Sequence, residues 1–134
     1  MTKIELRQLY ALAVEMELDN AEILLTPNAH LYCNGIGADW MPDALCDLIS
    51  TMNPTQKPSA AIHDIEYTIG GTEEDRKAAD ERFLQNGLKA ANYEYGWYNP
   101  VRYIVRHQAH KYYTLLRAFG GAAWNYKNEE SNQP

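Results

Sequence analysis

The sequence predicts a mainly α-helical single domain, built on two antiparallel helices and a glycine-rich loop. Apolar residues at helical spacing occur in residues 60 to 67, and a second helical stripe follows: Ala79, Phe83, Leu84, Leu88 and Ala91. The short Gly70-Gly71 turn joins the two runs, so these helices would lie antiparallel. A chain of 134 residues is long enough to form one domain with a sizeable core.

Composition excludes several classes of protein. The net charge of -6 argues against a nucleic acid bound by the whole surface. The sequence contains no run of about 18 apolar residues, so we expect no transmembrane helix. The early charges at Lys3, Glu5 and Arg7 do not fit a signal peptide. Two cysteines, Cys33 and Cys46, form neither a disulfide framework nor a zinc motif. We therefore expect a reduced, cytoplasmic origin in the producing cell.

The first elements show packing patterns only. Residues 3 to 18 predict an amphipathic helix with four apolar side chains on one side: Leu9, Leu12, Ala13 and Met16. Residues 21 to 25 form a short apolar run that fits either a strand or a helical turn. Residues 43 to 52, which follow Pro42, predict a short helix.

Capping signals define the later helices. Residues 72 to 75 resemble a capping box with aspartate in the fourth position. Asn99 and Pro100 provide an N-cap and a first-turn proline for a last helix, which Gly120-Gly121 ends. Residues 125 to 134 predict a disordered tail, which leaves a domain of residues 1 to 124.

Ionisable residues interrupt the apolar helices. His63 and Tyr67 share a helix face, whereas Asp64 points about a quarter-turn away. Asp80 falls inside the stripe of the second helix and can face His63, where a carboxylate would fix the imidazole tautomer and stabilise an imidazolium. A buried ionisable group without a partner would be costly. Alternatively, Asp80 pairs only with Arg76, and His63 is a core histidine.

A loop with close glycines precedes this pair. Asn34-Gly35 and Gly37 let the backbone turn sharply and present carbonyls or amides to a ligand. This loop, the motif His-Asp-x-x-Tyr at residues 63 to 67 and the motif Ala-Asp-x-x-Phe at residues 79 to 83 resemble the site of a phospholipase A2. The chain is most similar to disulfide-free forms such as the lipase domain of parvovirus capsid proteins. The resemblance covers about residues 32 to 84.

The resemblance implies calcium-dependent hydrolysis of the sn-2 ester of phospholipids. His63 would be the general base that takes a proton from water, and Tyr67 and Asp80 would orient it. Calcium would be bound by the Asp64 carboxylate and by three backbone carbonyls, those of Cys33, Gly35 and Gly37. The metal and the Gly35 amide would stabilise the oxyanion. Cys33 replaces the usual tyrosine, but only its carbonyl is needed.

A second resemblance extends over about residues 34 to 124. Small phage and prophage proteins of unassigned activity have a loop that ends in proline, His-Asp-x-x-Tyr, Arg-x-x-Ala-Asp-x-x-Phe and Gly-Gly-x-x-Trp in the same order. It implies a phage-related protein, cytoplasmic or associated with the virion. Two other readings stay open: a non-catalytic phage assembly or host-interaction protein, and a phosphohydrolase with a transition metal held by His30, His63, Asp64 and a later aspartate.

Charge is unevenly distributed near the carboxyl end. No Asp or Glu occurs between Tyr95 and Asn128, whereas five basic residues do: Arg102, Arg106, Lys111, Arg117 and Lys127. With Trp97 and its neighbouring tyrosines, Arg102, Arg106 and Lys111 predict a surface for anionic phospholipid headgroups. The alternative is a solvated basic face that balances an acidic remainder.

Overall fold

Helices make up most of the chain that the structure describes. The computed structural model describes residues 2 to 27 and 52 to 127. Within these ranges, four α-helices are joined by turns and short 3-10 helices, and no strand is present. The predicted mainly α fold is therefore confirmed. The glycine loop and, except for Met52, the predicted helix at residues 43 to 52 lie outside the described residues.

The first helix, α1 (Lys3–Glu15), is shorter than predicted. The side chain of Thr2 caps it by accepting a hydrogen bond from the Glu5 amide. The helix ends before residue 18 because Glu17 adopts a positive φ of 58°, outside the right-handed helical region. Ala21–Leu25 is a 3-10 helix, which decides between the strand and the helical turn. Both elements bury apolar side chains against the next helix.

The two helices of the predicted antiparallel pair are α2 (Lys57–Ile69) and α3 (Glu73–Glu94). Gly70 and Gly71 join them at positive φ values of 74° and 148°, which favour glycine. The predicted capping box is present: the Asp75 amide donates to the Thr72 hydroxyl, and the Thr72 amide donates to the Asp75 carboxylate. The pairing of α2 and α3 sets which of their side chains can meet.

The last helix, α4 (Pro100–Phe119), packs against α3. The predicted Asn99 cap is present, since its side chain accepts a hydrogen bond from the Val101 amide at 3.0 Å. The buried face of the helix consists of Val105, Ala109, Tyr112 and Leu116. In the part of the chain that the structure describes, no helix combines the length and apolar character needed to cross a membrane.

The segment after α4 returns to the turn between α2 and α3. The Trp124 indole donates a hydrogen bond to the Gly71 carbonyl, the Gly71 amide donates to Asn125, and the Lys127 amide donates to Gly71. Residues 125 to 127, which were predicted to begin a disordered tail, therefore lie against the glycine turn, and residues 128 to 134 lie outside the described residues. The polar composition of residues 125 to 127 does not reveal this backbone pairing.

Candidate active site

His63 lies in the middle of α2 and is almost completely buried, with 3% of its surface exposed. Its ring packs against two aromatic rings. The Tyr67 ring, one helical turn later, has its centroid 4.2 Å away, and the Phe83 ring of α3 has its centroid 5.0 Å away. These contacts hold the imidazole at the seam between the two helices.

The structure brings together the three residues that the motifs single out at this seam. His63 Nε2 lies 2.9 Å from Asp80 Oδ1, and the Tyr67 hydroxyl donates a 2.6 Å hydrogen bond to the same oxygen. The predicted contact between His63 and Asp80 is therefore present. Because an ionised carboxylate can only accept, Nε2 carries a hydrogen, and whenever the ring is neutral Nδ1 carries the lone pair. An imidazole in this state can take a proton at Nδ1.

The second oxygen of Asp80 faces two arginines. Arg117 of α4 donates from Nη1 to Asp80 Oδ2 at 2.8 Å, whereas Arg76 Nη1 lies 3.7 Å from that oxygen. The reading in which Asp80 pairs only with Arg76 is therefore wrong. Arg117 was not among the predicted site residues. The sequence feature that points to Arg117 is its position next to Leu116, at the edge of the apolar face of α4.

Glu73 links both arginines in a further layer. Its Oε1 accepts from Arg117 Nη2 at 3.0 Å and from Arg76 Nη2 at 2.8 Å. Its Oε2 accepts from Arg76 Nε at 2.8 Å and from the Tyr126 hydroxyl at 2.6 Å. Hydrogen bonds from Arg76 and then Tyr126 lower the pKa of Glu73 to about 2. Glu73 thus keeps its charge and anchors the guanidinium groups around Asp80.

The partners of Asp80 keep it ionised in spite of its burial. Burial alone would raise the pKa of this fully buried carboxyl, but hydrogen bonds from His63, Tyr67 and Arg117 outweigh that effect and lower it. The pKa of Tyr67 is raised, first by burial and then by its bond to Asp80. Tyr67 therefore stays protonated and remains a donor. The result is a charged acceptor held next to an imidazole.

The proposed calcium ligands are only partly described. Asp64 lies on α2 directly after His63 and is half-buried. Cys33, Gly35 and Gly37, and with them the predicted oxyanion amide of Gly35, lie outside the described residues. Among residues 2 to 27 and 52 to 127, no group of three or more His, Cys, Asp or Glu side chains could hold a metal ion. The other implied ligands are backbone carbonyls, so Asp64 is the one ligand of this set that a side-chain mutation can remove.

The predicted membrane-binding residues do not form one uniform face. Trp97 is 74% exposed and packs edge-on against the exposed ring of Tyr98. Lys111 is also exposed. In contrast, Arg102 and Arg106 are half-buried and both donate to the Asn92 side chain of α3. The exposed part of the predicted surface thus consists of aromatic rings near Trp97 and, among the predicted basic residues, Lys111.

Comparison with known proteins gives no match. No protein-family model matches the chain, and neither a curated protein nor a solved structure is significantly similar to it. The resemblance to phospholipases A2 therefore depends on the sequence motifs in residues 32 to 84.

Proposed function

We propose that this protein is a calcium-dependent phospholipase A2-like enzyme that hydrolyses the sn-2 ester of phospholipids. The main support is the buried arrangement in which Asp80 holds His63 through Nε2. That contact orients the ring and leaves Nδ1 to act as a base. The phage-like order of motifs suggests a phage-related protein, present in the cytoplasm of the producing cell or on the virion.

His63 would act first as a base and then as an acid. A water molecule would give its proton to Nδ1 while its oxygen attacks the ester carbonyl carbon. The imidazolium would then return the proton to the departing alcohol oxygen as the ester bond breaks. The charged Asp80 stabilises the imidazolium, and the Tyr67 hydroxyl holds Asp80 Oδ1 in place.

Calcium would be held by the Asp64 carboxylate and by the backbone carbonyls of Cys33, Gly35 and Gly37. These are oxygen donors of the kind that calcium prefers. When bound, the ion would polarise the ester carbonyl and, with the Gly35 amide, stabilise the oxyanion. Asp64 belongs in this set because it is the aspartate of the His-Asp-x-x-Tyr motif that carries the resemblance, and it is half-buried on α2.

The proposal is tested by hydrolysis of a fluorogenic phospholipid with calcium and then with a chelator. We expect calcium-dependent release of the sn-2 acyl chain. Calorimetry should detect one calcium site, which Asp64→Asn largely removes and the exposed control Asp75→Asn keeps. A folded protein without hydrolysis or calcium binding would contradict the proposal and favour an assembly or host-interaction role. Stoichiometric zinc, manganese or iron would favour the phosphohydrolase.

Membrane contact is proposed at the exposed aromatic cluster Trp97, Tyr98 and Tyr103, together with Lys111. The Tyr103 hydroxyl donates to the Trp97 carbonyl at 2.6 Å, so the cluster is tied to the start of α4. Exposed aromatic rings together with an exposed cation suit the interface of an anionic bilayer.

Vesicle binding tests this surface. Trp97→Ala and Lys111→Gln should weaken binding to anionic vesicles, whereas Lys3→Gln on α1 removes an exposed cation elsewhere and should not. Arg102→Gln and Arg106→Gln should have smaller effects, because both side chains are turned toward Asn92. Binding should also weaken as salt screens the exposed charges. Equal binding by all variants would show that this face is a solvated basic surface and not a membrane-binding one.

A further inference from the structure

From the contacts around Asp80, we infer that Arg117 is a positioning residue for the proposed reaction. It holds Asp80 in the orientation that serves His63, and its guanidinium donates hydrogen bonds to Asp80 and Glu73. The inference rests on the proposed function. It adds a residue from α4 to a site that the motifs place on α2 and α3.

The two oxygens of Asp80 have separate tasks. Oδ1 accepts from His63 Nε2 and from the Tyr67 hydroxyl. Among the described residues, Arg117 is the one that donates a hydrogen bond to Oδ2. Asp80 has no exposed surface while Arg117 is in place, so protein groups supply its hydrogen bonds. Arg117 therefore decides whether the carboxylate stays turned toward His63.

The guanidinium of Arg117 bridges two carboxylates in a geometry that its planar shape fixes. One of its terminal nitrogens, Nη1, binds Asp80 at 2.8 Å, and the other, Nη2, binds Glu73 Oε1 at 3.0 Å. The planar fork of arginine fixes both contacts at once, whereas a lysine ammonium is a point charge on a flexible stem. The bridge thus sets the position of Arg117 as well as its charge.

Arg76 does not take over this contact. Its Nε and Nη2 donate to Glu73, and its Nη1 donates to the Leu116 carbonyl at 3.1 Å. The same Nη1 lies 3.7 Å from Asp80 Oδ2, beyond hydrogen-bond distance. Arg76 contributes charge near Asp80 while remaining committed to other acceptors. Loss of Arg117 would leave Oδ2 without its hydrogen bond.

A change in the orientation or charge of Asp80 would change the tautomer of the His63 imidazole. If the carboxylate rotates toward Arg76 or takes up a proton, it no longer fixes the hydrogen on Nε2. The ring then samples the tautomer with the hydrogen on Nδ1, which cannot accept a proton at that atom. The expected result is a lower kcat with little change in KM, because Arg117 acts through Asp80.

The test compares Arg117→Met and Arg117→Lys with Lys77→Met, which removes an exposed cation from α3. We expect Arg117→Met to lower kcat on the order of 10²-fold, as for a misplaced catalytic group, with KM nearly unchanged. Arg117→Lys should recover part of the rate, since it keeps the charge but not the bridge. Lys77→Met should behave as the wild type.

A second readout does not need activity. Nitrogen-15 NMR of the neutral His63 imidazole, assigned with His63→Gln, should show hydrogen on Nε2 in the wild type and a tautomer mixture in Arg117→Met. Wild-type kcat together with an unchanged tautomer in Arg117→Met would overturn the inference. If the wild type hydrolyses no phospholipid, the proposed function fails, and the tautomer alone decides the role of Arg117.

A backup variant covers a failure of Arg117→Met to fold. Glu73→Gln loosens the same guanidinium from its other side, and Glu74→Gln is a matched exposed neighbour on α3. We expect a smaller loss of kcat and a partial tautomer shift in Glu73→Gln, and neither in Glu74→Gln. If both properties of Glu73→Gln match those of the wild type, Arg117 is not a positioning residue.

Discussion

Two carboxylates are buried along the α2–α3 pair, and they differ in their partners. Asp80 accepts hydrogen bonds on both oxygens, and its pKa is lowered. Glu66 Oε2 is bound by Arg82, but its Oε1 has no hydrogen-bond partner among the described residues. Burial raises the pKa of Glu66 to about 7, and the charge of Arg82 opposes this only in part.

The comparison shows that burial alone does not decide the charge of a carboxyl in this protein. Glu66 is 7% exposed and Asp80 is fully buried, yet their pKa values move in opposite directions. Arg82 is partly exposed and shared with Asp19, which binds its Nε at 3.0 Å. Hydrogen bonds to the charged form keep Asp80 ionised, as an acceptor for His63 requires.

The largest expected effect comes from Asp80→Asn. This change removes the charge that holds His63 and leaves Arg117 Nη1 without its carboxylate partner, whereas Nη2 keeps its bond to Glu73. We expect the free energy of unfolding at pH 8 to fall by up to about 3 kcal/mol, since breaking a buried pair leaves a charge uncompensated. Hydrolysis should slow as well, by less than the about 10²–10⁴-fold that loss of a general base costs. Chemical denaturation and initial rates measure both effects.

A stability of Asp80→Asn equal to that of the wild type would break the comparison. It would mean that the contacts of Asp80 do not outweigh its burial. Activity would then be the remaining sign of a special role for this carboxyl.

The second effect concerns pH. The folded-state pKa of Glu66, about 7, lies above its ordinary value of 4.5, so the folded protein binds the proton more tightly than the unfolded chain. This contribution to stability is complete below about pH 4.5, declines as pH rises and is lost above about pH 7. The contribution of Asp80 to stability depends on pH in the opposite direction, because its pKa is lowered. This contribution is present above pH 3.8 and is lost as the pH falls further.

Glu66→Gln should therefore flatten the decline in unfolding free energy between about pH 4.5 and 7. At pH 8 we expect it to change stability by no more than about 1 kcal/mol, much less than Asp80→Asn. Urea titrations across this pH range make the comparison. If the unfolding free energy of Glu66→Gln declined as steeply with pH as that of the wild type, groups other than Glu66 would cause the decline.

The smallest effect is expected from Arg82→Lys. Lysine keeps a positive charge near Glu66 but loses the fork that also reaches Asp19. Since Arg82 is partly exposed and compensates Glu66 only in part, the loss should stay below about 1 kcal/mol. Arg117→Lys should cost more hydrolysis than Arg82→Lys. Equal rates in the two variants would remove the distinction between the two arginines.

Sequence patterns predict the pair of His63 and Asp80 because the pair depends on local rules. Helical spacing sets the faces, and the Gly70-Gly71 turn brings residues 17 apart in sequence to the same level of adjacent helices. Arg117 is 37 residues from Asp80, and its contact depends on how α4 packs on α3. No periodicity determines that packing, so the arginine was missed.

The ends of two elements differ from the sequence prediction because they depend on particular backbone conformations and contacts. The end of α1 depends on the positive φ at Glu17, a conformation that its residue type does not suggest. The ordering of Asn125 depends on backbone bonds to Tyr67 and Gly71, which its polar neighbours do not predict. Capping boxes, glycine turns and Asn-Pro starts were predicted correctly, because each is a short-range rule.

The most direct test of the account is the initial rate of calcium-dependent phospholipid hydrolysis by His63→Gln, measured beside His107→Gln. His63 is buried on Asp80, whereas His107 is exposed on α4, so the two variants make the same change in opposite settings. We expect a loss of about 10²-fold or more for His63→Gln and a wild-type rate for His107→Gln. Full calcium-dependent activity in His63→Gln would show that the histidine and its carboxylate only stabilise the core.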